Sequence, residues 1–158
     1  MNNVRIELND DAVWTEAQVK YYKDHAKSFC FTPSQAKEIL GLILNGKAPK
    51  KNSDIPRAHF YEIFMDDQIA GELKFIPYGD EKEAGEIDIA IYDVFHKKGC
   101  AEKAIQKFCE ITHMDKIYGL VYEDNNSKIA MNHVFEKLGF KNAEDVGVTE
   151  WCKKIERE

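Results

Sequence analysis

Residues 85–108, GEIDIAIYDVFHKKGCAEKAIQKF, change their hydrophobic period once, and that change constrains the fold more than any other feature. In Glu86–Tyr92 apolar and polar residues alternate, with Ile87, Ile89 and Ile91 on one face and Glu86, Asp88, Ala90 and Tyr92 on the other. Alternation is the mark of a strand with one buried face. From Gly99 onward, Ala101, Ala104, Ile105 and Phe108 recur at helical spacing and make one apolar stripe. Asp93–Lys98 joins the two as a short basic loop.

A strand that runs through a short loop into a helix exposes a row of backbone N–H groups. The first helical turn has no internal acceptors for them, and the positive end of the helix dipole lies there. An anion such as phosphate suits the position. Gly99 allows close approach of a ligand to the backbone, and His96, Lys97 and Lys98 add donors and positive charge.

The hexapeptide His96-Lys97-Lys98-Gly99-Cys100-Ala101 resembles the [Arg/Gln]-x-x-Gly-x-[Gly/Ala] signature of the GNAT N-acetyltransferase family, with His96 in the first position. Asn132–Phe140, NHVFEKLGF, is similar to the "lYeKlGF" helix end of that family. The resemblance covers roughly residues 58–145 well and the N-terminal part by general layout. It implies an α/β fold of α+β type. A central mixed sheet is flanked by helices and contains a splayed parallel strand pair. The activity implied is transfer of an acetyl group from acetyl-CoA to a primary amine. The backbone of Lys97–Ala101 would cradle the pyrophosphate, and the backbone of Ile89 and Ile91 would pair with the pantetheine arm like an added strand. The same backbone reading leaves the Ile89 and Ile91 side chains free to pack in the core.

The order of elements agrees with this layout. Val4–Leu8 reads as a strand, 12–29 as a helix, and a second helix opens at Thr32-Pro33 and ends near Asn45-Gly46. The polar stretch 47–57 reads as a loop. His59–Met65 and Gln68–Ile76 flank Asp66-Asp67 as a hairpin, and the chain turns at Pro77–Asp80. Lys116–Tyr122 reads as a buried strand and Ser127–Leu138 as a helix, with Ser127 suited to cap it and Gly139 to end it. Phe140–Asp145 and Thr149–Ile155 form a closing pair. The 158 residues suit one domain, 1–158.

For catalysis the candidate bases are Glu86 and Asp88, which share one face of the central strand. Glu83 could fill that place if a bulge shifts the register. A carboxylate that takes a proton near neutral pH needs a raised pKa. The alternative is that Glu81, Glu83 and Glu86 form a solvated acidic rim that attracts cations. Two positions depart from the family pattern. Phe135 stands where many members carry a Tyr that can protonate the leaving sulfur, and Tyr92, Tyr118 and Tyr122 are substitutes only by residue type. Lys128 stands where the family often has a cofactor-contacting Asn. Asn126, beside Asn125, can substitute for that Asn, and Lys128 can meet a phosphate instead. These departures support an alternative, a weak or inactive GNAT domain that binds acyl-CoA as a sensor or scaffold. Cys100, at a helix start, is expected to have a lowered thiol pKa, but it has no identified base partner.

The formal net charge of −6 argues against general nucleic-acid binding and permits a cationic amine acceptor. The acceptor side would be built from the first two helices and the hairpin, where Tyr21, Tyr22, His25, Phe29 and Phe31 cluster in sequence. The four cysteines have no paired C-x-x-C spacing, so neither a metal site nor a disulfide framework is expected. The N-terminus has no basic-then-apolar layout and no apolar run approaches a bilayer span, so a cytoplasmic location without membrane contact is expected. A homodimer is compatible with the resemblance, but no interface is specified.

Overall fold

The computed structural model describes residues 3–9, 41, 58–78, 83–122, 127–145 and 147–156. Among the described residues, seven strands form one sheet: β1 (Val4–Leu8), β2 (His59–Met65), β3 (Gln68–Pro77), β4 (Ala84–Ile91), β5 (Lys116–Tyr122), β6 (Lys141–Asp145) and β7 (Val148–Lys154). Their spatial order is β1-β2-β3-β4-β5-β7-β6. All neighbours are antiparallel except β4 and β5, which run parallel. Two helices, α1 (Cys100–Ile111) and α2 (Lys128–Lys137), follow β4 and β5 respectively. Gly41 is helical, and the remainder of the two N-terminal helices expected from sequence lies outside the described residues.

The alternation of β4 does what it predicts. Ile87 is buried, Ile89 and Ile91 pack against the core, and Asp88 on the other face is exposed. α1 covers the isoleucine face with Cys100, Ala104, Ile105 and Phe108 buried. The stripe is the expected one at Ala104, Ile105 and Phe108 and differs at its first position, where Cys100 is inside and Ala101 half-buried. Burying Ile105 and Phe108 contributes roughly 1.5–3 kcal/mol each. Phe108 meets Tyr61 edge-on at 5.5 Å and Phe75 at 5.2 Å between centroids, which locks α1 over β2 and β3.

α2 packs on the same side, over β5. Gly119 gives up its side chain there so that the Phe135 ring can lie on the strand. A Cβ built on Gly119 would sit 2.4 Å from Phe135 Cζ. Phe135 is 2% exposed, stacks on Trp151 at 6.1 Å and meets Phe140 at 4.9 Å. The helix then ends in a Schellman turn. Phe140 N–H donates to Phe135 O, Gly139 N–H donates to Glu136 O, and Gly139 adopts a φ of 85°. Ser127 occupies the N-cap position, but its side chain makes no capping hydrogen bond, unlike the sequence expectation. Trp151 Nε1–H donates to Asn132 Oδ1 at 2.9 Å, tying β7 to α2.

Candidate active site

The parallel pair β4–β5 is joined over only half its length. The register runs from Ala84 opposite Lys116 to Ile87 opposite Gly119 and stops there. β4 continues to Ile91 still paired with β3, while β5 continues to Tyr122 still paired with β7. The two strands therefore splay, and Asp88–Ile91 have no β5 partner.

The direction of the exposed backbone follows from the ladder. Tyr92 N–H donates to Ala70 O at 2.8 Å, on the β3 side. Neighbouring residues of an antiparallel strand point their N–H and C=O groups to alternate sides. Ile91 and Ile89 consequently aim theirs away from β3, into the gap. Ile91 O already accepts a hydrogen bond from His96 Nε2 at 2.6 Å, which requires the proton on Nε2. Ile89 lies one ladder step deeper.

From Ile91 the chain enters a 3₁₀ turn, Asp93–Phe95, and then the tight segment His96–Gly99. Lys97 and Gly99 both take positive φ, 61° and 73°. Gly99 is the N-cap of α1 and supplies no capping side chain, so the amides of the first turn look outward. Lys103 N–H to Gly99 O, at 3.2 Å, is the first bond of the helix. A backbone curled through left-handed residues into a helix N-terminus is a concave donor surface suited to an anion. Lys97 and Lys98 are exposed, and Lys98 Nζ stands 5.8 Å over the Phe95 ring. Because α1 and α2 follow the two parallel strands, both N-termini lie at the carboxyl ends of β4 and β5, beside the splay.

A family model, the acetyltransferase (GNAT) domain, matches residues 4–141. The chain belongs to the GNAT acetyltransferase family. Three solved structures share this GNAT fold at low identity. RimL, a ribosomal L7/L12 α-N-protein acetyltransferase in complex with coenzyme A, is 17% identical, with a TM-score of 0.64 over 96% of this chain and 94% of its own. An acetyltransferase from Thermus thermophilus is 17% identical, with a TM-score of 0.63 over 94% and 96%. The Campylobacter jejuni N-acetyltransferase PseH, in complex with acetyl coenzyme A, is 14% identical, with a TM-score of 0.60 over 96% and 100%. At these identities the likeness establishes the fold alone. No curated protein matches the sequence.

Within the GNAT frame the predicted site residues separate. Ile89, Ile91, His96, Lys97, Lys98, Gly99, Cys100 and Ala101 lie along one continuous path from the splay into α1. Lys128 opens α2 at the same end of the sheet. Asn126, with Asn125, lies outside the described residues, as do Glu81, the loop 47–57 and the aromatic stretch Tyr21–Phe31. Cys100 corrects its expectation. The thiol is 2% exposed and points into the core, and burial pushes its pKa up to about 11, against a lesser opposing effect of Lys103. Only the Cys100 backbone can face a ligand.

The two carboxylates differ. Glu86 is half-buried. Burial first, and then the Asp88 carboxylate, raise its pKa above the ordinary value. Lys74 works against the rise, and Glu150 adds to it. Asp88 is exposed and pairs with Lys74 at 3.4 Å. Glu83 precedes β4 with a φ of 61° and is exposed. The β3–β4 register has no shift, so no bulge carries Glu83 into the strand. Among the described residues the register shift lies instead between β2 and β3, where Ala70 is the extra residue opposite Ile63 and Phe64.

Sequence reasoning misses Gly119, Lys74 and Glu150. A glycine inside the apolar run Lys116–Tyr122 is a usable signal of close packing. Lys74 and Glu150 become neighbours of Glu86 only through register. A separate groove of about 1160 Å³ lies at the other end of β5, lined by Cys109, Lys137, Leu138 and Lys153 among others. Glu86, the splay and the anion-suited turn are all away from it. Among the described residues no helix is long and apolar enough to cross a membrane.

Proposed function

We propose that this GNAT protein, residues 1–158 acting as one domain, is an acetyl-CoA-dependent N-acetyltransferase that transfers an acetyl group directly to a primary amine. The observation that carries the reading is the splay. The β4 edge beyond Ile87 is open towards β5 and leads straight into a left-handed turn and a helix N-terminus. An extended amide chain ending in a pyrophosphate fits this sequence of surfaces. Ile89 and Ile91 offer backbone groups for strand-like pairing, and Lys97–Ala101 offer a cradle of amides. Lys97 and Lys98 supply positive charge, and Lys128, with Asn126 upstream, completes the phosphate end.

Acetyl-CoA supplies the thioester whose acyl carbon is transferred. Glu86 acts as the base, directly or through a water, and takes the proton that the acceptor ammonium must lose before it attacks. Its raised pKa supports this role over that of the exposed Asp88. Phe135 gives no proton to the leaving sulfur. Its ring is committed to packing on Gly119, Phe140 and Trp151. The acceptor is an amine carried on a small molecule or a protein, and the protein works in the cytoplasm.

Calorimetric titration with acetyl-CoA and with CoA tests the reading, followed by amine-dependent release of free CoA thiol over a panel of polyamines, amino acids, aminoglycosides and peptide N-termini. Micromolar binding and amine-stimulated release are expected. A folded protein that binds neither acetyl-CoA nor CoA overturns it.

A further inference from the structure

On the sheet face opposite α1 and α2, Lys74 of β3 stands directly across from Asp88 of β4, and Glu86 and Tyr118 share the adjacent row. Lys74 Nζ lies 3.4 Å from Asp88 Oδ2, and Lys74 is the more enclosed partner, 18% exposed against 66%. Glu86 is the diagonal neighbour of Lys74, about 7 Å away for backbones so related. A lysine stem spans that distance, so the ammonium has two carboxylates within reach. The structure pairs it with Asp88.

That choice has chemical weight. A carboxylate that holds an ammonium is stabilised as the anion and is a weaker base. We infer that Asp88 is a positioning residue: it holds Lys74 across β3–β4, keeps the ammonium off Glu86, and so preserves Glu86 as the proton acceptor. The inference rests on the reading of Glu86 as the base. Among the described residues, the charged or titratable groups on this face around Glu86 are Lys74 from β3 and Tyr78 just after it, Asp88 from its own strand, Lys116 and Tyr118 from β5, and Glu150 and Cys152 from β7. Of the two lysines, Lys74 is the one whose charge acts on the Glu86 carboxyl, against burial and Asp88, so where its ammonium sits matters for Glu86.

The test is a carbon-13 NMR titration of the Glu86 carboxyl, assigned through Glu86→Gln, in the wild type, Asp88→Asn, Lys74→Met and the double variant. Removing Asp88 withdraws its own anionic field and also releases Lys74 towards Glu86, so the midpoint should fall, and fall further with Lys74 present than in the Lys74→Met background. Removing Lys74 should raise it. Each shift should be about 0.4–1.7 pH units, the range for a unit charge about 7 Å away at effective dielectrics from about 80 to about 20. The double variant should lie between the two. In turnover, Asp88→Asn should lower kcat about three- to tenfold with the KM for acetyl-CoA kept, and adding Lys74→Met should restore most of it. A structural role would give no such rescue. A Glu86 midpoint that Asp88→Asn lowers by the same amount with Lys74 present as in the Lys74→Met background, or that is unmoved or moved the same way in both single variants, overturns the inference. Full kcat in Glu86→Gln instead overturns the base assignment, and with it the catalytic half of the inference, while the titration still reports on the pair.

Discussion

Gly99→Asn and Gly99→Ala separate what Gly99 does for the fold from what it does for a ligand. Gly99 has a φ of 73°, and a Cβ built on it meets no atom within 4 Å. Alanine there incurs only the backbone cost of the left-handed region, about 1–2 kcal/mol, because nothing in the protein collides with the methyl group. For a chain of this length that is a fall in Tm of roughly 2–8 °C. Asparagine tolerates the same conformation and should lose less. The open space around the Cβ is where the proposed pyrophosphate would lie. Any side chain there displaces the anion from the amides of Cys100 and Ala101. Losing one charge-assisted hydrogen bond costs about 1.5–3 kcal/mol, or about 10- to 150-fold in Kd. Both variants should therefore lose CoA affinity to a similar degree while differing in Tm. Differential scanning calorimetry and isothermal titration with CoA measure the two quantities on the same samples. If Gly99→Asn is stable and binds CoA as the wild type does, the turn is not the pyrophosphate cradle.

Three further outcomes follow from buried groups. Glu86→Gln should nearly abolish turnover and yet raise stability at neutral pH. The folded-state pKa of Glu86 lies above its unfolded value, so its ionisation opposes folding as the pH rises through that pKa; denaturant midpoints should converge below the ordinary carboxylate range and separate above it. A variant less stable than wild type at neutral pH would contradict the assigned burial. Gly119→Ala must push the Phe135 ring out from between Phe140 and Trp151, and should cost about 1–3 kcal/mol in urea unfolding. Shrinking the ring with Phe135→Leu should recover part of that loss, and additive effects would refute the contact. Cys100 should resist alkylation in the native protein at mildly alkaline pH, since it is buried with a pKa of about 11, and should react on unfolding; rapid native labelling mapped to Cys100 would contradict its place in the core.

The elements are legible from sequence where one face of each is buried. His59–Met65 and Lys116–Tyr122 coincide with their predicted bounds, because an alternating or continuously apolar run has one way to satisfy both its backbone and its side chains. The turn into α1 is legible because a glycine between a strand and a helix has a restricted set of uses, and Gly99 takes the left-handed N-cap position. What is not legible depends on register. Nothing in the local run GEIDIAI distinguishes Glu86 from Asp88. They differ because β5 and β7 bring Tyr118 and Glu150 towards Glu86, while β3 delivers Lys74 opposite Asp88. Cys100 departs from expectation for a related reason. The apolar stripe of Ala104, Ile105 and Phe108 continues one turn back to Cys100 rather than Ala101, so the thiol lies in the core and desolvation raises its pKa over the opposing effect of Lys103.

One break in the sheet links these features. Gly119 lets the tip of the Phe135 ring press on β5 at the last residue paired with β4, and the strands part immediately beyond. Had β5 stayed paired with β4 to its end, the backbone of Ile89 and Ile91 would be saturated by protein. The turn after Ile91 would then be a surface connection with no groove leading to it. Parting the strands removes the ladder bonds of Ile89 and Ile91 on one side, and His96 returns one of them at the Ile91 carbonyl. Backbone groups left unpaired in a half-buried gap cost about 1–3 kcal/mol each. On the proposed function, an extended, amide-bearing cofactor would supply the pairing that β5 does not give. On that reading the open edge, normally a liability in a sheet, is tolerated in the middle of this one because a ligand covers it.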